Sequence, residues 1–189
     1  LKDSVVKREF ADTGLKIRGL LIHSRVWDVF LRGAAYRARR VPLFLEIFGE
    51  SGTITSNASL RAEDSENYEV GADVDFRSFL EMHGYVTLFR KNIRDMILFV
   101  PNSRFTLRAE NVDAASINGL ETGLEAKWNW LQVYARYTYQ RAINEGKEDY
   151  ANGKYLPLRP LHDFGGGVTI KMNRWIGGLE SNYTGAVFQ

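Results

Sequence analysis

Hydrophobic and polar residues alternate along most of the chain. Between Glu69 and Arg77, every even position is apolar, whereas the odd positions are charged except for Gly71. A period of two residues is typical of β-strands that have one apolar and one polar face. The same alternation predicts eight strands, near residues 15–21, 27–35, 69–77, 79–92, 120–128, 131–139, 164–172 and 175–182. Helical periodicity is not sustained anywhere, so the sequence predicts an all-β protein.

The connections between these strands alternate between short and long. Short connections fall near 23–25, 77–79, 128–130 and 173–174, and long ones are predicted over 38–65, 92–113 and 141–161. Outer-membrane β-barrels have this layout, with short turns at one rim and long loops at the other. The predicted strand over 79–92 is also long enough to cross a bilayer at a tilt, because each residue adds about 3.3 Å. Three tryptophans beside short turns predict an aromatic girdle: Trp128, Trp130 and Trp175.

Charged side chains on the polar faces of the strands indicate where each face points. A Lys or Arg that faces lipid at the bilayer midplane costs about 2–4 kcal/mol. The polar faces are therefore expected to line a watery lumen, and the apolar faces to contact lipid. A soluble sheet whose polar face meets bulk water would produce the same alternation. The charged positions in question are Glu69, Asp73, Asp75, Arg77, Glu81, Glu121, Glu125, Lys127, Arg136 and Lys171.

The composition excludes several other classes of protein. The chain has 189 residues, and its 25 basic and 23 acidic side chains give a net charge of +2. This balance excludes a polybasic nucleic-acid tail and a disordered acidic segment. The absence of Cys excludes a disulfide scaffold and a thiol nucleophile. No nucleophile–base pair, phosphate-binding loop or metal cluster stands out, so we predict no catalytic residues, no metal site, no cofactor and no enzymatic activity.

Six short motifs follow one another between residues 40 and 185. They are Arg40-x-Pro42 with Leu45-Glu46-Ile47-Phe48-Gly49, Asn57-x-x-Leu60 with Glu63-x-Ser65, Phe89 with Asp95-Met96-Ile97, Asn111-x-x-Ala114 with Gly119-Leu120-Glu121, Tyr137-Thr138 with Ala142, and Leu156-Pro157 with His162. In this order they resemble the barrel of TonB-dependent outer-membrane receptors. Two prolines of the family pattern are replaced, at Ala58 and Ala62. Nearby, Glu63, Ser65 and Asn67 are hydrogen-bond acceptors that are expected to tie down the base of a loop.

The resemblance implies a transmembrane antiparallel β-barrel of about 22 strands, of which residues 1–189 supply a fragment of about eight. It also implies a plug domain, and neither that plug nor the final strands are recognised in this sequence. The complete protein would be a multi-pass barrel of the Gram-negative outer membrane that takes up a scarce ligand, such as an iron–siderophore or cobalamin. Its partners would be outer-membrane lipid, the small-molecule or metal-chelate ligand, and TonB, which supplies energy through the plug.

In this scheme the three long connections are extracellular and supply ligand contacts. Arginines suit carboxylate or catecholate oxygens, and aromatic side chains suit the rings of a ligand. The candidate contacts are Arg39, Arg40, Phe44, Phe48, Phe99, Arg104, Phe105, Arg108, Tyr150 and Tyr155. Each is also consistent with an exposed loop residue that binds nothing. Some haem receptors carry a His in the segment corresponding to 43–56, and this sequence has none there, so haem is not the expected ligand.

Two other interpretations remain open. A complete eight-stranded outer-membrane barrel with a structural or adhesive role fits the length, and its first strand should pair with its eighth. A soluble β-sandwich that acts as a binding module should be a monomer without detergent and should unfold cooperatively. Eight strands of a larger barrel should instead leave two open edges.

Overall fold

The computed structural model describes residues 12–50, 52–102, 105–146, 152–157 and 159–187. Within these ranges the chain forms nine β-strands and one short helix. In chain order they are β1 Thr13–His23, β2 Trp27–Arg40, α1 Phe44–Phe48, β3 Ile54–Thr55, β4 Glu63–Arg77, β5 Glu81–Pro101, β6 Leu107–Trp128, β7 Leu131–Asn144, β8 His162–Met172 and β9 Trp175–Thr184. No helix of the described ranges is long and apolar enough to span a membrane.

The eight long strands form one antiparallel sheet in the order β1-β2-β4-β5-β6-β7-β8-β9. Residues directly opposite each other, such as Val70 and Leu88, lie on the same face, so the register keeps the apolar positions of neighbouring strands together. This sheet confirms the predicted fold class and the eight predicted strands. In the described part of the chain, β1 pairs with β2 alone and β9 with β8 alone. The closure that a complete eight-stranded barrel requires is therefore not found among these residues.

The prediction of a long loop over 92–113 is wrong, because β5 and β6 continue through this segment. β5 runs to Pro101 and β6 begins at Leu107, so that only residues 102–106 connect them. Pairing is interrupted once, at Asp95, whose φ is 53°. We refer to residues 96–101 and 107–112, beyond this interruption, as the upper hairpin. The strands also shorten the other two long connections, to residues 41–62 and 145–161.

The two neighbouring connections cover both faces of the upper hairpin. On one face, Met96 packs in a buried cluster with Leu156, which belongs to the connection between β7 and β8. On the other face, Ile97 and Ala109 pack with Leu60, which belongs to the connection between β2 and β4. Strands that are buried on both faces have continuous apolar runs instead of alternation. The run over 96–100 is of this kind, which is why its pattern did not predict a strand.

Hydrogen bonds fix the connection between β2 and β4 against the upper hairpin. Asn57 donates from Nδ2 to the carbonyl of Ala109 at 2.8 Å. The N–H of Arg61 donates to Oδ1 of Asn111 at 2.8 Å, and Nδ2 of Asn111 donates back to the carbonyl of Arg61 at 3.0 Å. The short β3 adds a parallel pairing with the start of β6 at Leu107. The long-connection end of the sheet is therefore a packed unit with small cores of its own.

Candidate functional site

The two faces of the sheet have a burial pattern opposite to that of a soluble β-sheet. The apolar face carries Val70, Leu88 and their cross-strand neighbours, and 59% of Val70 is exposed. The polar face carries Asp73 and Thr87, which are only 8% and 5% exposed. Among the described elements, contacts join strands within the sheet and α1 to β3 and β6, so no second layer covers the apolar face. A soluble sheet would bury that face against a core.

Glycines in central strands show the same difference between the two faces. On the polar face, a Cβ added to Gly71 would lie 2.6 Å from the carbonyl oxygen of Val86. On the apolar face, the nearest atoms to a Cβ added to Gly33 or Gly84 would lie 3.8 and 3.6 Å away. Neighbouring groups therefore crowd the polar face and leave the apolar face open, as expected for a sheet that curves around its polar side.

All ten charged positions singled out in the sequence share the polar face, as the cross-strand register shows. Arg32 of β2 lies beside them and bridges two other strands. It donates from Nε to Oδ1 of Asp73 at 3.3 Å and from Nη2 to Oγ1 of Thr87 at 2.5 Å. Arg18 of β1 approaches the same Asp73 to 4.0 Å and stays exposed. These guanidinium groups can bind carboxylate or phosphate oxygens that pass along this face.

A second charged group lies at the short-turn end of the polar face. Nη2 of Arg77 donates to Oδ2 of Asp28 at 2.9 Å and lies 3.6 Å from Asp75. The ring of His23 bonds Asp28 at 2.6 Å, and the ring of His83 bonds Asp75 at 2.7 Å. The carboxylates are mostly covered, whereas Arg77 and the His rings are exposed. The guanidinium of Arg77 and the two imidazole rings therefore face the space in front of the polar face.

Sequence reasoning missed Arg18, Arg32 and His23 as members of the polar face. Arg18 and Arg32 occupy positions of β1 and β2 opposite in phase to the apolar residues, so the alternation that predicted these strands could have found them. His23 has the same phase as Leu15 and Ile17, and only the register shift between Leu20 and Ile22 places it opposite Asp28. The contacts with Asp73 and Asp28 depend on register between strands, which the sequence alone does not give. Across the described ranges, no group of three or more His, Asp or Glu is placed to bind a metal ion.

Three of the four arginines predicted to bind ligand lie at the long-connection end of the described residues, and each of these three has a carboxylate neighbour. Arg40 bonds both oxygens of Glu63 at 2.7 and 2.8 Å and reaches Oε1 of Glu46 at 3.0 Å. These bonds, with Glu63 first, raise the pKa of Arg40 above its usual range. Arg39 lies 4.0 Å from Asp64 and Arg108 lies 3.6 Å from Glu110. Arg104 lies outside the described residues.

The aromatic residues of the predicted set differ in how accessible they are. Phe44 and Phe48 lie one turn apart on α1, with ring centroids 4.4 Å apart, and both are exposed. Phe105 is fully exposed near the tip of the upper hairpin, whereas Phe99 packs against the buried cluster that contains Leu60. Tyr155 forms a backbone bridge with Ile143. Tyr150 lies outside the described residues. Phe44, Phe48 and Phe105 are therefore the rings most open to a ligand.

Aromatic side chains also gather at the short-turn end of the apolar face. Trp27 contacts Phe76 with ring centroids 4.5 Å apart, and Phe76 is 6.3 Å from Phe79. Trp128 and Trp130, two of the three tryptophans predicted for a girdle, are 6.0 Å apart. The structure thus adds Trp27 and its two phenylalanine neighbours to the aromatic residues at this end.

Three solved proteins contain a part that is similar to this sheet. The copper transporter OprC is 19% identical, with a TM-score of 0.65, over 87% of this chain and 24% of that protein. The FrpB iron transporter from Neisseria meningitidis (F3-3 variant) is 14% identical, with a TM-score of 0.58, over 90% of this chain and 26% of that protein. The siderophore receptor PirA from Pseudomonas aeruginosa is 16% identical, with a TM-score of 0.59, over 92% and 31%. These similarities establish the fold, and the chain spans only 24–31% of the length of these proteins.

A family model described as TonB dependent receptor-like, β-barrel matches residues 26–189. A comparison with curated protein sequences finds no significant match. The matched residues include every strand from β2 to β9. The match confirms the resemblance inferred from the six motifs, and it agrees with the prediction that the chain is not an enzyme, because this family consists of outer-membrane β-barrel receptors. The chain therefore belongs to the TonB-dependent receptor-like β-barrel family.

Proposed function

We propose that this chain forms part of the barrel wall of an outer-membrane active transport receptor. The complete receptor takes up a scarce ligand, such as an iron–siderophore or cobalamin, with energy supplied by TonB through a plug domain. The observation that carries the proposal is the inverted burial of the sheet, with Val70 and Leu88 exposed while Asp73 and Thr87 are nearly buried. A wall between lipid and an aqueous lumen needs this arrangement.

The length of the apolar stripe supports the same orientation. In β4 the apolar face reads Tyr68, Val70, Ala72, Val74 and Phe76. These positions span about 26 Å along the strand at about 3.3 Å per residue. At a tilt near 40° the stripe rises about 20 Å along the membrane normal, comparable with the apolar band of about 25 Å around outer-membrane barrels. The aromatic residues at its short-turn end then lie where one membrane interface is expected.

Spin labels on neighbouring positions of one strand test this orientation. The complete receptor, labelled at Val74 or at Asp75 and reconstituted in lipid vesicles, should give opposite results. The Val74 label should be relaxed by oxygen dissolved in lipid, and the Asp75 label by a water-soluble nickel chelate. Labels at Leu88 and Thr87 form a second matched pair on β5. If both members of a pair report the same surroundings, the barrel-wall assignment fails.

Uptake measurements test the transport function separately. Cells that lack the complete gene should lose uptake of one member of a panel of radiolabelled ferric siderophores, cobalamin and copper complexes. Uptake should return with the intact gene, and it should disappear again when TonB is deleted or the inner-membrane potential is collapsed. Uptake of every panel member at the same rate with and without the gene would contradict the proposal. Uptake that survives TonB deletion would contradict the energy coupling alone.

We propose that ligand contacts come from the predicted set at the long-connection end. The exposed ring pair Phe44 and Phe48, on α1, supports an aromatic contact, and Phe105 offers a second one. Phe44→Ala and Phe48→Ala in the complete receptor should weaken ligand binding without changing the unfolding temperature. Arg40→Ala and Arg104→Ala should also weaken ligand binding. Because Arg40 also bonds Glu63 and Glu46, the unfolding temperature of the Arg40→Ala receptor is measured in parallel. A variant with unchanged ligand affinity removes its residue from the set.

The two alternative interpretations have less support. A complete eight-stranded barrel needs β1 paired with β9, and the described residues of these strands pair with β2 and β8. A β-sandwich needs a second sheet over the apolar face, and the described elements supply none. A structural or adhesive role for a small closed barrel is therefore not proposed.

A further inference from the structure

The apolar face changes to a basic surface near the long-connection end of three strands. In β2 the position after Ala35 on this face is Arg37, in β5 the position after Leu88 is Arg90, and in β7 the position after Tyr139 is Arg141. Arg39 and Arg94 lie further along β2 and β5 on the same face. We refer to these five arginines as the arginine band. Arg37, Arg90 and Arg141 each lie one outward position, about 6.6 Å along the strand, beyond an apolar or aromatic side chain of this face.

This arginine band is not neutralised by its neighbours. On strands β2 to β7, between the apolar stripe and Asp95, the same face carries five arginines and two carboxylates, Asp64 and Glu66. Asp64 pairs with Arg37 and Glu66 lies 3.4 Å from Arg94. Among the described residues, neither Arg90 nor Arg141 forms an ion pair; Arg90 bonds only the side-chain oxygen of Asn92, at 3.1 Å. The band keeps a net charge of +3.

We propose that this arginine band binds the phosphate groups of anionic lipid headgroups in the outer leaflet of the membrane. The position supports this occupant, because the band begins where the apolar stripe ends and faces the same way. The charge supports it as well, because guanidinium groups bind phosphate through two parallel hydrogen bonds. Basic residues next to a membrane surface each add to the attraction for anionic lipid. The occupant is a lipid headgroup because a free anion would not require an apolar stripe beside the charges.

The inference rests on the outward orientation of the apolar face proposed above. It goes beyond that proposal, because a transport barrel can face lipid without selecting any headgroup. A spin label at Leu88, one position before Arg90 on this face, reports the orientation independently. A label at Leu88 that lies in water would contradict both ideas. If the Leu88 label lies in lipid but substitution of the arginines leaves lipid affinity unchanged, only the headgroup proposal is contradicted.

Native mass spectrometry of the complete receptor in detergent tests the proposal directly. Three lipids are added in turn: lipid A with two phosphates, lipid A with one phosphate, and phosphatidylcholine as the zwitterionic control. The variant Arg90→Gln/Arg94→Gln/Arg141→Gln removes three of the positive charges. Its affinity for the doubly phosphorylated lipid should fall at least about tenfold, with a smaller loss for the singly phosphorylated lipid and none for phosphatidylcholine. Raising the ionic strength should weaken wild-type binding most for the doubly phosphorylated lipid, less for the singly phosphorylated lipid and not at all for phosphatidylcholine.

Two further variants keep the test specific. Arg18→Gln/Arg77→Gln/Arg136→Gln removes the same charge from the polar face, where all three side chains lie, and should leave lipid binding unchanged. Arg90→Lys/Arg94→Lys/Arg141→Lys keeps the charge but loses the paired hydrogen bonds of guanidinium, so its affinity should lie between those of wild type and the glutamine variant. The proposal is overturned if the glutamine variant at the band binds like wild type, if the polar-face variant loses as much affinity, or if inorganic phosphate at equal concentration displaces the lipid.

Discussion

Glu63 bonds the guanidinium of Arg40 through both of its carboxylate oxygens, at 2.7 and 2.8 Å, across the last residue pair that β2 and β4 share. Oε1 of Glu63 also accepts the backbone N–H of Ile97 in the upper hairpin at 2.7 Å. The third nitrogen of Arg40 reaches Glu46 on α1, and Glu46 in turn accepts the N–H of Leu43 at 2.7 Å. One arginine therefore connects two strands, the helix and, through Glu63, the hairpin.

Replacing this arginine should loosen the long-connection end of the sheet. Arg40→Met leaves Glu46 and Glu63, whose side chains are only 5% and 14% exposed, without a cation. Breaking a fully buried pair costs about 3–5 kcal/mol, and the partly exposed Arg40 reduces this to about 1–3 kcal/mol. The measurement is hydrogen exchange of the upper hairpin in the complete receptor, which should become faster.

The matched control for this change is Arg108→Met. Arg108 also faces one carboxylate, that of Glu110 at 3.6 Å, but both side chains are about half exposed. Exposed pairs of this kind contribute about 0.2–1 kcal/mol, so exchange in the hairpin should stay close to wild type. Equal acceleration in both variants would show that Arg40 has no special structural role.

Asp64 should make the same end of the sheet sensitive to acid. A hydrogen bond from Arg37 lowers the pKa of Asp64 below its usual range, and the nearby charges of Arg39 and Arg94 act in the same direction. Because the folded pKa is depressed, the carboxylate stabilises the fold at neutral pH, and this contribution is lost as the pH falls below about 4 towards the folded pKa. Asp64→Asn should be less stable than wild type at pH 7, and the difference should vanish at low pH.

Unfolding of wild type and Asp64→Asn in the same detergent between pH 7 and pH 3 measures this effect. Arg37→Gln removes the other partner and should reproduce the neutral-pH loss. Glu110→Gln is a control for loss of a carboxylate at this end, because its nearest cation, Arg108, is 3.6 Å away. A wild-type curve parallel to that of Asp64→Asn over the whole range would show that the pair contributes nothing.

Leu156 should hold the connection between β7 and β8 against the upper hairpin. Its side chain is fully buried in the cluster that contains Met96, Ala115 and Ile117. Leu156→Ala leaves a cavity that typically costs about 2–5 kcal/mol, and the cost falls on the docking of this connection. Limited proteolysis should cut residues 145–161 sooner than in wild type. Leu124→Ala, on the exposed apolar face, removes the same atoms and should leave the cleavage rate unchanged; equal rates in both variants would contradict the docking role.

The sequence predicted the sheet well where one face of a strand differs from the other. Val70, Ala72 and Val74 alternate with charged residues or glycine, and this alternation correctly predicted a strand there. The prediction failed between Met96 and Val100, because two connections distant in sequence cover both faces of that segment. Burial on both sides removes the alternation, and nothing local in the sequence shows which residues will supply the covering.

The candidate site was predictable only where its contacts are local in sequence. Phe44 and Phe48 are four residues apart, so a single helical turn brings them together, and their residue types suggested a contact surface. The bond between Arg32 and Thr87 joins residues 55 positions apart, and it depends on the register of β2, β4 and β5. Alternation assigns residues to faces, but it does not place them opposite each other.

Glycine substitutions on opposite faces should reveal how tightly the polar face is packed. Gly71→Ala places a Cβ 2.6 Å from the carbonyl oxygen of Val86 and 3.3 Å from the guanidinium carbon of Arg32, so the strands must move apart. We expect the unfolding free energy of the complete receptor to fall by about 1–3 kcal/mol, measured by heat denaturation in a single detergent. Gly33→Ala, in the neighbouring strand, meets nothing closer than 3.8 Å and should be neutral or stabilising by up to about 1 kcal/mol, because alanine loses less backbone freedom on folding. Equal losses in both variants would mean that crowding does not distinguish the two faces, and the curvature inferred from it would have to be abandoned.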